Sequence, residues 1–115
     1  LITGSRTLGS CRSHIRGIWS GGYTSPICYF NTIDYVTIAT TGDATNFGDL
    51  NGVRRNCMGI SNSIRGVFAG GLSPTMLNNI EYVTIATTGN ATDFGDAATA
   101  RVGNGASSNS HGGLA

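Results

Sequence analysis

The chain has 115 residues, a formal net charge of +1 and only 11% charged residues, and all seven of its basic side chains are Arg. A charge this weak and scattered excludes the basic surface that binds nucleic acids or anionic membranes. No stretch reaches the roughly 18 consecutive apolar residues of a membrane-spanning helix. Eighteen Gly residues, well above the usual share of about 7%, argue against long helices and predict an all-β fold rich in turns.

The chain repeats itself with a period of 47 residues. The run Ile33–Gly42 returns as Ile80–Gly89 with a single Asp-to-Glu change. A fixed period in this range is typical of arrays built from one supersecondary unit. We therefore divide the chain into units at residues 1–53 and 54–100, with residues 101–115 opening a third unit.

Each unit is predicted to contain four short strands separated by turn residues, which we letter a to d in chain order. An opening partial copy, Leu1–His14, supplies the first strand a. In the second unit, strand a lies within Arg55–Ser63 and strand b within Arg65–Ala69. Strand c is the repeated Ile/Tyr/Val run, and strand d centres on the repeated Phe. Another strand a, Arg101–Ser110, would begin the third unit.

Strand c is apolar on both faces. Ile33 and Tyr35 point one way, while Val36 and Ile38 point the other, because successive side chains of a strand alternate between its two faces. A half-exposed strand would alternate between polar and apolar residues more cleanly. We therefore expect neighbouring units to cover this strand on both sides.

A pair of Gly residues follows strand b in each unit, at Gly21-Gly22 and at Gly70-Gly71. Residues without a Cβ atom allow positive φ angles and close approach of another backbone, which a crowded strand end requires. A phosphate-binding loop is the alternative interpretation. It finds no support, because no helix-forming segment or Lys follows.

The segment after the Gly pair is two residues longer in the first unit, Tyr23–Phe30, than in the second, Leu72–Leu77. Loops absorb length changes and packed strands do not, so the sequence predicts a surface loop here. Its aromatic side chains, Tyr23, Tyr29 and Phe30, could stack on sugar rings or anchor a protein partner. Alternatively, they cover the edge of a sheet.

Arg16 and Arg65 are the other candidate ligand-binding residues. Each stands in an Ile-Arg-Gly sequence directly before strand b, in otherwise apolar surroundings. The alternative is that each Arg bridges neighbouring loops or units through hydrogen bonds to backbone carbonyl groups.

The order of these elements resembles the repeat of kelch-type β-propellers. That repeat has an apolar strand ending in Gly-Gly, a loop, an Asn, an aliphatic-acidic-Tyr strand, a later aromatic residue and an Arg. The matching residues here are Gly21-Gly22, Asn31, Ile33-Asp34-Tyr35, Phe47 and Arg54, then Gly70-Gly71, Asn78, Ile80-Glu81-Tyr82, Phe94 and Arg101.

This resemblance implies four-stranded antiparallel blades around a central axis, with Tyr35, Tyr82, Phe47 and Phe94 at structural positions of the repeat. The near-identical copies are also similar to repeats in tail or fibre proteins of marine bacteriophages.

A propeller typically needs four to eight blades, and two blades would leave broad apolar faces open. The strands read a-b-c-d-a-b-c-d-a, so a ring of identical copies would carry one surplus strand per chain. We therefore expect the chain to be an excerpt of a larger propeller rather than one member of a ring of identical copies. Its partners would be further blades, from the same longer chain or from identical copies. A stacked β-solenoid is the alternative fold.

No motif supports catalysis. Asp93-Phe94-Gly95 spells the magnesium-binding motif of kinases, but the other kinase motifs are absent and its copy Asn46-Phe47-Gly48 marks it as a position of the repeat. The remaining reactive side chains lack partners or spacing diagnostic of a triad, a metal site or a disulfide framework: His14, His111, Cys11, Cys28 and Cys57. The sequence therefore predicts no enzyme, no metal site and no cofactor.

These features favour a non-enzymatic structural or adhesive module. A component of a virion fibre or appendage that presents binding loops fits best, with an extracellular or virion location. A lectin-like propeller that binds glycans, in pockets between blades, is the alternative. Neither function requires nucleic acid or insertion into a membrane.

Overall fold

The computed structural model describes residues 8–24, 28–73 and 75–100, and over these residues the chain forms strands and turns without a helix. The all-β prediction is therefore confirmed. The strands within this part of the chain are β1 Gly9–Arg12, β2 Arg16–Ser20, β3 Tyr23–Thr24, β4 Cys28–Thr37, β5 Thr45–Arg54, β6 Met58–Ser61, β7 Arg65–Ala69, β8 Leu72–Ser73, β9 Thr75–Met76, β10 Asn79–Thr84 and β11 Thr92–Asp96.

Two antiparallel sheets account for most of these strands. In the first sheet β1, β2, β4 and β5 lie side by side in that order, and β3 pairs with the opening residues of β4. In the second sheet β6, β7, β10 and β11 lie in the equivalent order. The two Tyr-containing runs of the repeat thus belong to different sheets. The predicted opening of a third unit, residues 101–115, lies outside the described residues.

The turns between the first two strands of each sheet are formed by polar side chains at equivalent places. The Ser13 hydroxyl oxygen accepts hydrogen bonds from the backbone amides of Ile15 and Arg16. The Asn62 side-chain oxygen accepts the same two bonds from Ile64 and Arg65. Short polar side chains that bond to the backbone two or three residues ahead are typical turn formers, which explains why neither turn needs Gly.

A β-bulge interrupts both sheets at the repeated Phe. The pairing register skips Phe47 between Ile33 and Asp34, and it skips Phe94 between Ile80 and Glu81. A bulge changes the direction of the side chain that it carries.

The segments predicted as surface loops are instead short hairpins over their described residues. β3 pairs with the start of β4, with Tyr23 opposite Tyr29, and β8 pairs with β9, with Leu72 opposite Met76. None of the described residues of these segments is buried, so the predicted surface position is confirmed. The segments form short strand pairs rather than irregular loops, and Tyr and Thr, which favour strands, supply the first of them. Three residues separate the paired positions Thr24 and Cys28, whereas one separates their counterparts.

The two sheets pack face to face. Each sheet has two faces, which we name forward and rear. The forward face of the first sheet carries Ile18, Ile33, Tyr35 and Phe47. The forward face of the second sheet carries their repeat equivalents, Val67, Ile80, Tyr82 and Phe94. The rear face of the second sheet carries Phe68, Val83, Ile85 and Ala91. The rear face of the first sheet carries their repeat equivalents, Trp19, Val36, Ile38 and Ala44. One buried cluster joins the forward face of the first sheet to the rear face of the second: Ile18, Ile33, Phe47, Leu50, Phe68, Val83, Ile85 and Ala91.

Only one face of each sheet is covered in this way. Ile85 is 2% exposed on the rear face of the second sheet, while its repeat equivalent Ile38, on the rear face of the first, is 53% exposed. Within the described residues strand c is therefore covered on one face, and its cover on the other face by a further unit stays a prediction. Two sheets can make only one face-to-face contact with each other, so two outer faces are left.

The Gly pairs lie where the backbone of β5 and its continuation passes. Gly21, Gly22, Gly70 and Gly71 all have positive φ angles, between 66° and 110°. The Gly22 amide donates a hydrogen bond of 2.7 Å to the Arg54 carbonyl. A Cβ atom on Gly21 would lie 2.6 Å from that same carbonyl oxygen. Both the backbone angle and the lack of space therefore require Gly here.

Candidate functional site

The contact between the two sheets contains a buried ion pair. Arg54, at the end of β5, pairs with Glu81 of β10, and both residues are 0% exposed. The Glu81 Oε1 atom, which Arg54 contacts, also accepts a 2.6 Å hydrogen bond from the Asn79 side chain. The Glu81 Oε2 atom accepts a 2.8 Å hydrogen bond from the backbone amide of Asn51. Arg54 also donates to the Gly70 carbonyl at 3.3 Å. The pair therefore ties both sheets and one Gly pair together.

This ion pair is structural in its chemistry. Burial lowers the pKa of the Arg54 guanidinium, but an arginine titrates so far above neutral pH that it stays charged. Glu81 is enclosed by three donor contacts and presents no open position to a substrate. The sequence placed Arg54 and Glu81 in the repeat separately, and nothing in it indicated that the two side chains meet.

Arg16 bridges the two sheets. Its guanidinium lies over the Tyr35 ring, 4.4 Å from the ring centroid, and its Nη1 donates a 2.8 Å hydrogen bond to the Ile85 carbonyl. Arg65 stacks on Tyr82 in the same way at 4.3 Å, but its side chain is exposed and donates no hydrogen bond to another described residue. Of the two interpretations of these Arg residues, bridging describes Arg16. Arg65 has the same geometry without a carbonyl to bridge.

The repeated aromatic residues form matching pairs with different exposure. Tyr35 and Phe47 meet edge to face with ring centroids 5.8 Å apart, and Tyr82 and Phe94 do so at 6.2 Å. Phe47 is 3% exposed because the second sheet covers it, whereas Phe94 is 60% exposed. The same residue at the same place in the repeat is therefore a core residue in one sheet and a surface residue in the other.

A second cluster of aromatic and basic side chains lies beside the hairpin of β3 and β4. Tyr23 and Tyr29 meet edge to face with centroids 6.3 Å apart. The Arg55 guanidinium lies 4.4 Å from the Tyr23 centroid and 5.7 Å from that of Tyr29. Phe30 is half-buried and its amide donates to the Gly22 carbonyl at 2.9 Å. The structure thus brings together two of the predicted aromatic residues and adds Arg55, which the sequence analysis missed.

The sequence offered one indication of a role for Arg55, namely that it directly follows Arg54, the repeated Arg of the first unit. A backbone bridge fixes it: Arg55 and Leu72 exchange amide-to-carbonyl hydrogen bonds of 3.1 and 2.9 Å. Its Nε is buried without a hydrogen-bond partner. An Arg on a fixed backbone, with two aromatic rings beside it, offers flat apolar surface and hydrogen-bond donors at one place.

A small groove opens at the edge of the contact between the sheets. It has a volume of about 240 Å³ and is lined by Ser13, His14, Ile15, Arg16, Ser63, Ile85 and Ala86. This volume lies below the roughly 300–1,000 Å³ of typical small-molecule sites. His14 is exposed there, and His111 lies outside the described residues.

All three cysteines are free thiols in distinct surroundings. Burial raises the pKa of the Cys11 thiol to about 12 and also raises that of Cys57, while Cys28 is exposed. Cys57 packs against Ser20, with the two side-chain heteroatoms 3.8 Å apart. A thiol that stays protonated is a poor nucleophile, so neither buried cysteine is activated for chemistry.

We expect iodoacetamide at pH 8 to alkylate Cys28 in the native protein and to spare Cys11 and Cys57 until denaturant is added. Cleavage after Arg12, Arg16, Arg54 and Arg55 places the three cysteines on separate tryptic peptides, so mass spectrometry can follow each one. Alkylation of Cys11 or Cys57 at the rate of Cys28 in the native protein would contradict the burial described here.

Metal-binding geometry is not found in the described part of the chain. No group of three or more His, Cys, Asp or Glu side chains there could hold a metal ion. Over the same residues, no helix has the length and apolar character needed to cross a membrane.

Comparison with known proteins adds no family to this description. No protein-family model matches the chain, and no curated protein sequence matches it significantly.

Proposed function

We propose that the chain is a non-enzymatic structural or adhesive module of a kelch-like β-propeller, in which each four-stranded sheet is one blade. The face-to-face packing of two sheets with the same strand order is the observation that carries this proposal. Neighbouring blades of a propeller pack in this manner around an axis. Further blades, from the same longer chain or from identical copies, would complete the ring.

The proposed setting is a virion fibre or another extracellular appendage. The similarity of the Thr-rich copies to phage tail repeats supports this setting, and the architecture suits it, because a rigid array of sheets holds its turns at fixed spacing. The two Thr-Thr-Gly turns, at residues 40–42 and 87–89, are largely exposed and would be displayed at such regular intervals.

This proposal is tested by labelling purified particles with an antibody raised against the chain and viewing them by electron microscopy. Label at one defined place on fibres or tails is the expected result. Label that is confined to soluble protein outside the particles would contradict an appendage component.

A lectin-like role is the second candidate, favoured by the cluster of Tyr23, Tyr29 and Arg55. Aromatic rings stack on the apolar face of a sugar, and a guanidinium can donate to its hydroxyl groups. Arg55 lies over Tyr23 and next to Tyr29, so the three side chains form one continuous surface.

If the cluster binds glycans, Tyr29→Ala is expected to weaken binding at least tenfold, while Tyr29→Phe keeps the ring and most of the affinity. A glycan array would identify a binding glycan and titration calorimetry would measure both variants. Tyr82→Phe, in the other sheet, is the matched control and should bind like the original chain. Equal binding by Tyr29→Ala would exclude this cluster as the glycan site.

A further inference from the structure

The internal repeat has made two outer faces that match each other. The forward face of the second sheet carries Tyr82, Phe94 and Arg65 where the covered forward face of the first carries Tyr35, Phe47 and Arg16. The outer rear face of the first sheet carries Val36 and Ile38 where the covered rear face of the second carries Val83 and Ile85. The two outer faces of the described residues thus carry the repeat equivalents of both surfaces that meet in the contact between the sheets.

We propose that the partner of these faces is a second copy of this chain, docked head to tail. The forward face of the second sheet of one copy would bind the rear face of the first sheet of the next. This inference rests on the proposed propeller function and names its partner. Such a contact joins two different surfaces, so it extends from copy to copy and gives a closed ring or an open filament according to the rotation between neighbours.

The apolar residues that would meet are exposed in the single chain. Phe94 is 60% exposed and Ile38 is 53% exposed, whereas their covered equivalents Phe47 and Ile85 are 3% and 2% exposed. Half-buried apolar side chains adjoin each of them on the same face, Tyr82 beside Phe94 and Val36 beside Ile38. In the head-to-tail contact Phe94 would occupy the place of Phe47, and Ile38 that of Ile85.

The polar part of the internal contact can also be repeated. Arg16 donates to the Ile85 carbonyl while stacked on Tyr35. Arg65 is already stacked on Tyr82 in the same geometry, and the repeat equivalent of the Ile85 carbonyl is that of Ile38. Docking would therefore give Arg65 the hydrogen bond that Arg16 makes.

The outer edge of β11 provides the backbone half of the contact. The edge of β5 is occupied, because Phe47 and Asp49 accept 2.8 Å hydrogen bonds from the amides of Gly89 and Ala91. Among the described strands β11 lies at the edge of its sheet, and open edge strands pair readily with another chain. By the repeat, Phe94 and Asp96 would accept from Gly42 and Ala44 of the next copy.

The space at this edge agrees with the same arrangement. A Cβ atom added to Gly48 would collide with the Gly89 carbonyl, which shows how closely the second sheet approaches. At the equivalent Gly95, no described atom lies within 4 Å of an added Cβ. The described residues therefore leave room at Gly95 for the backbone of a second copy.

The test uses one variant for each outer face. Phe94→Asp spoils only the forward face and Ile38→Asp only the rear face, and both side chains are exposed, so the fold is retained; circular dichroism checks this. Met76→Asp is the matched control, because Met76 is 55% exposed and lies on β9, in the separate two-stranded sheet of β8 and β9. Analytical ultracentrifugation measures the mass of each chain and of a 1:1 mixture of the two face variants.

We expect the original chain and Met76→Asp to exceed the 11.8 kDa of one chain as concentration rises, and each face variant to remain at 11.8 kDa. The mixture should form a dimer and nothing larger, because each variant keeps one intact face. An original chain that stays at 11.8 kDa up to about 1 mM, where a contact worth only about 4 kcal/mol would be half formed, would overturn the proposal. A mixture that stays monomeric would overturn it as well.

Failure of this inference is distinguishable from failure of the proposed function. If the chain is monomeric but Phe47→Ala destabilises it far more than Phe94→Ala, the internal packing of the two sheets stands and only the contact between copies is wrong. If the two Ala variants are equally mild, the internal packing is wrong, and the propeller proposal falls with it.

Discussion

Replacing Glu81 by Leu is expected to lower the free energy of unfolding by about 3–5 kcal/mol, because it leaves the Arg54 charge buried without a partner. Arg54 is 0% exposed, and without Glu81 its guanidinium would keep the 3.3 Å contact with the Gly70 carbonyl. A loss of this size is a large part of the roughly 5–15 kcal/mol that holds a domain folded. Urea denaturation followed by circular dichroism measures it.

The double variant Arg54→Met with Glu81→Leu separates the charge from the packing. Replacing both members of a buried ion pair by apolar residues is often neutral or stabilising, so we expect it to regain most of the lost stability. Asp96→Asn, an exposed charge on β11, is the control and should stay within about 0.5 kcal/mol of the original chain. A double variant no more stable than Glu81→Leu would attribute the loss to the hydrogen bonds from Asn51 and Asn79 instead.

Phe47→Ala is expected to cost about 3–5 kcal/mol of unfolding free energy, while Phe94→Ala costs less than about 1.5 kcal/mol. The two residues hold the same place in the repeat and make the same edge-to-face contact with a Tyr. They differ in exposure, 3% against 60%. The comparison therefore isolates the contribution of the second sheet to burial at this position.

Both Phe variants should be unfolded at several protein concentrations. Association between copies adds a contribution that depends on concentration, whereas packing within one chain does not. Thermal and urea unfolding at low micromolar concentration gives the value for the single chain. Equal destabilisation by the two variants there would contradict the face-to-face packing.

Local features of the structure followed from the sequence. The strand before the second Gly pair was predicted at Arg65–Ala69, and β7 has those bounds. The positive φ angles of the Gly pairs follow from the absence of Cβ atoms at a crowded strand end. Such features depend on a few neighbouring residues, and a sequence repeat makes those residues easy to recognise.

The features that the sequence did not predict depend on distant residues. Arg54 and Glu81 are 27 positions apart and lie in different sheets, so no local pattern couples them. Arg55 meets Tyr23 only because Leu72 pairs with its backbone. The unequal burial of Phe47 and Phe94 has the same origin, since identical local sequence cannot tell which copy has a neighbour in front of it.

The main-chain bonds between the sheets have a consequence for how such a protein can grow. Gly89 and Ala91 donate from their amides to the carbonyls of Phe47 and Asp49, so this part of the join uses groups that almost every residue carries. Substitution of the exposed threonines beside it leaves those groups in place. A newly duplicated unit would carry the same backbone amides and carbonyls, so these hydrogen bonds could form between it and its neighbours without a compensating mutation.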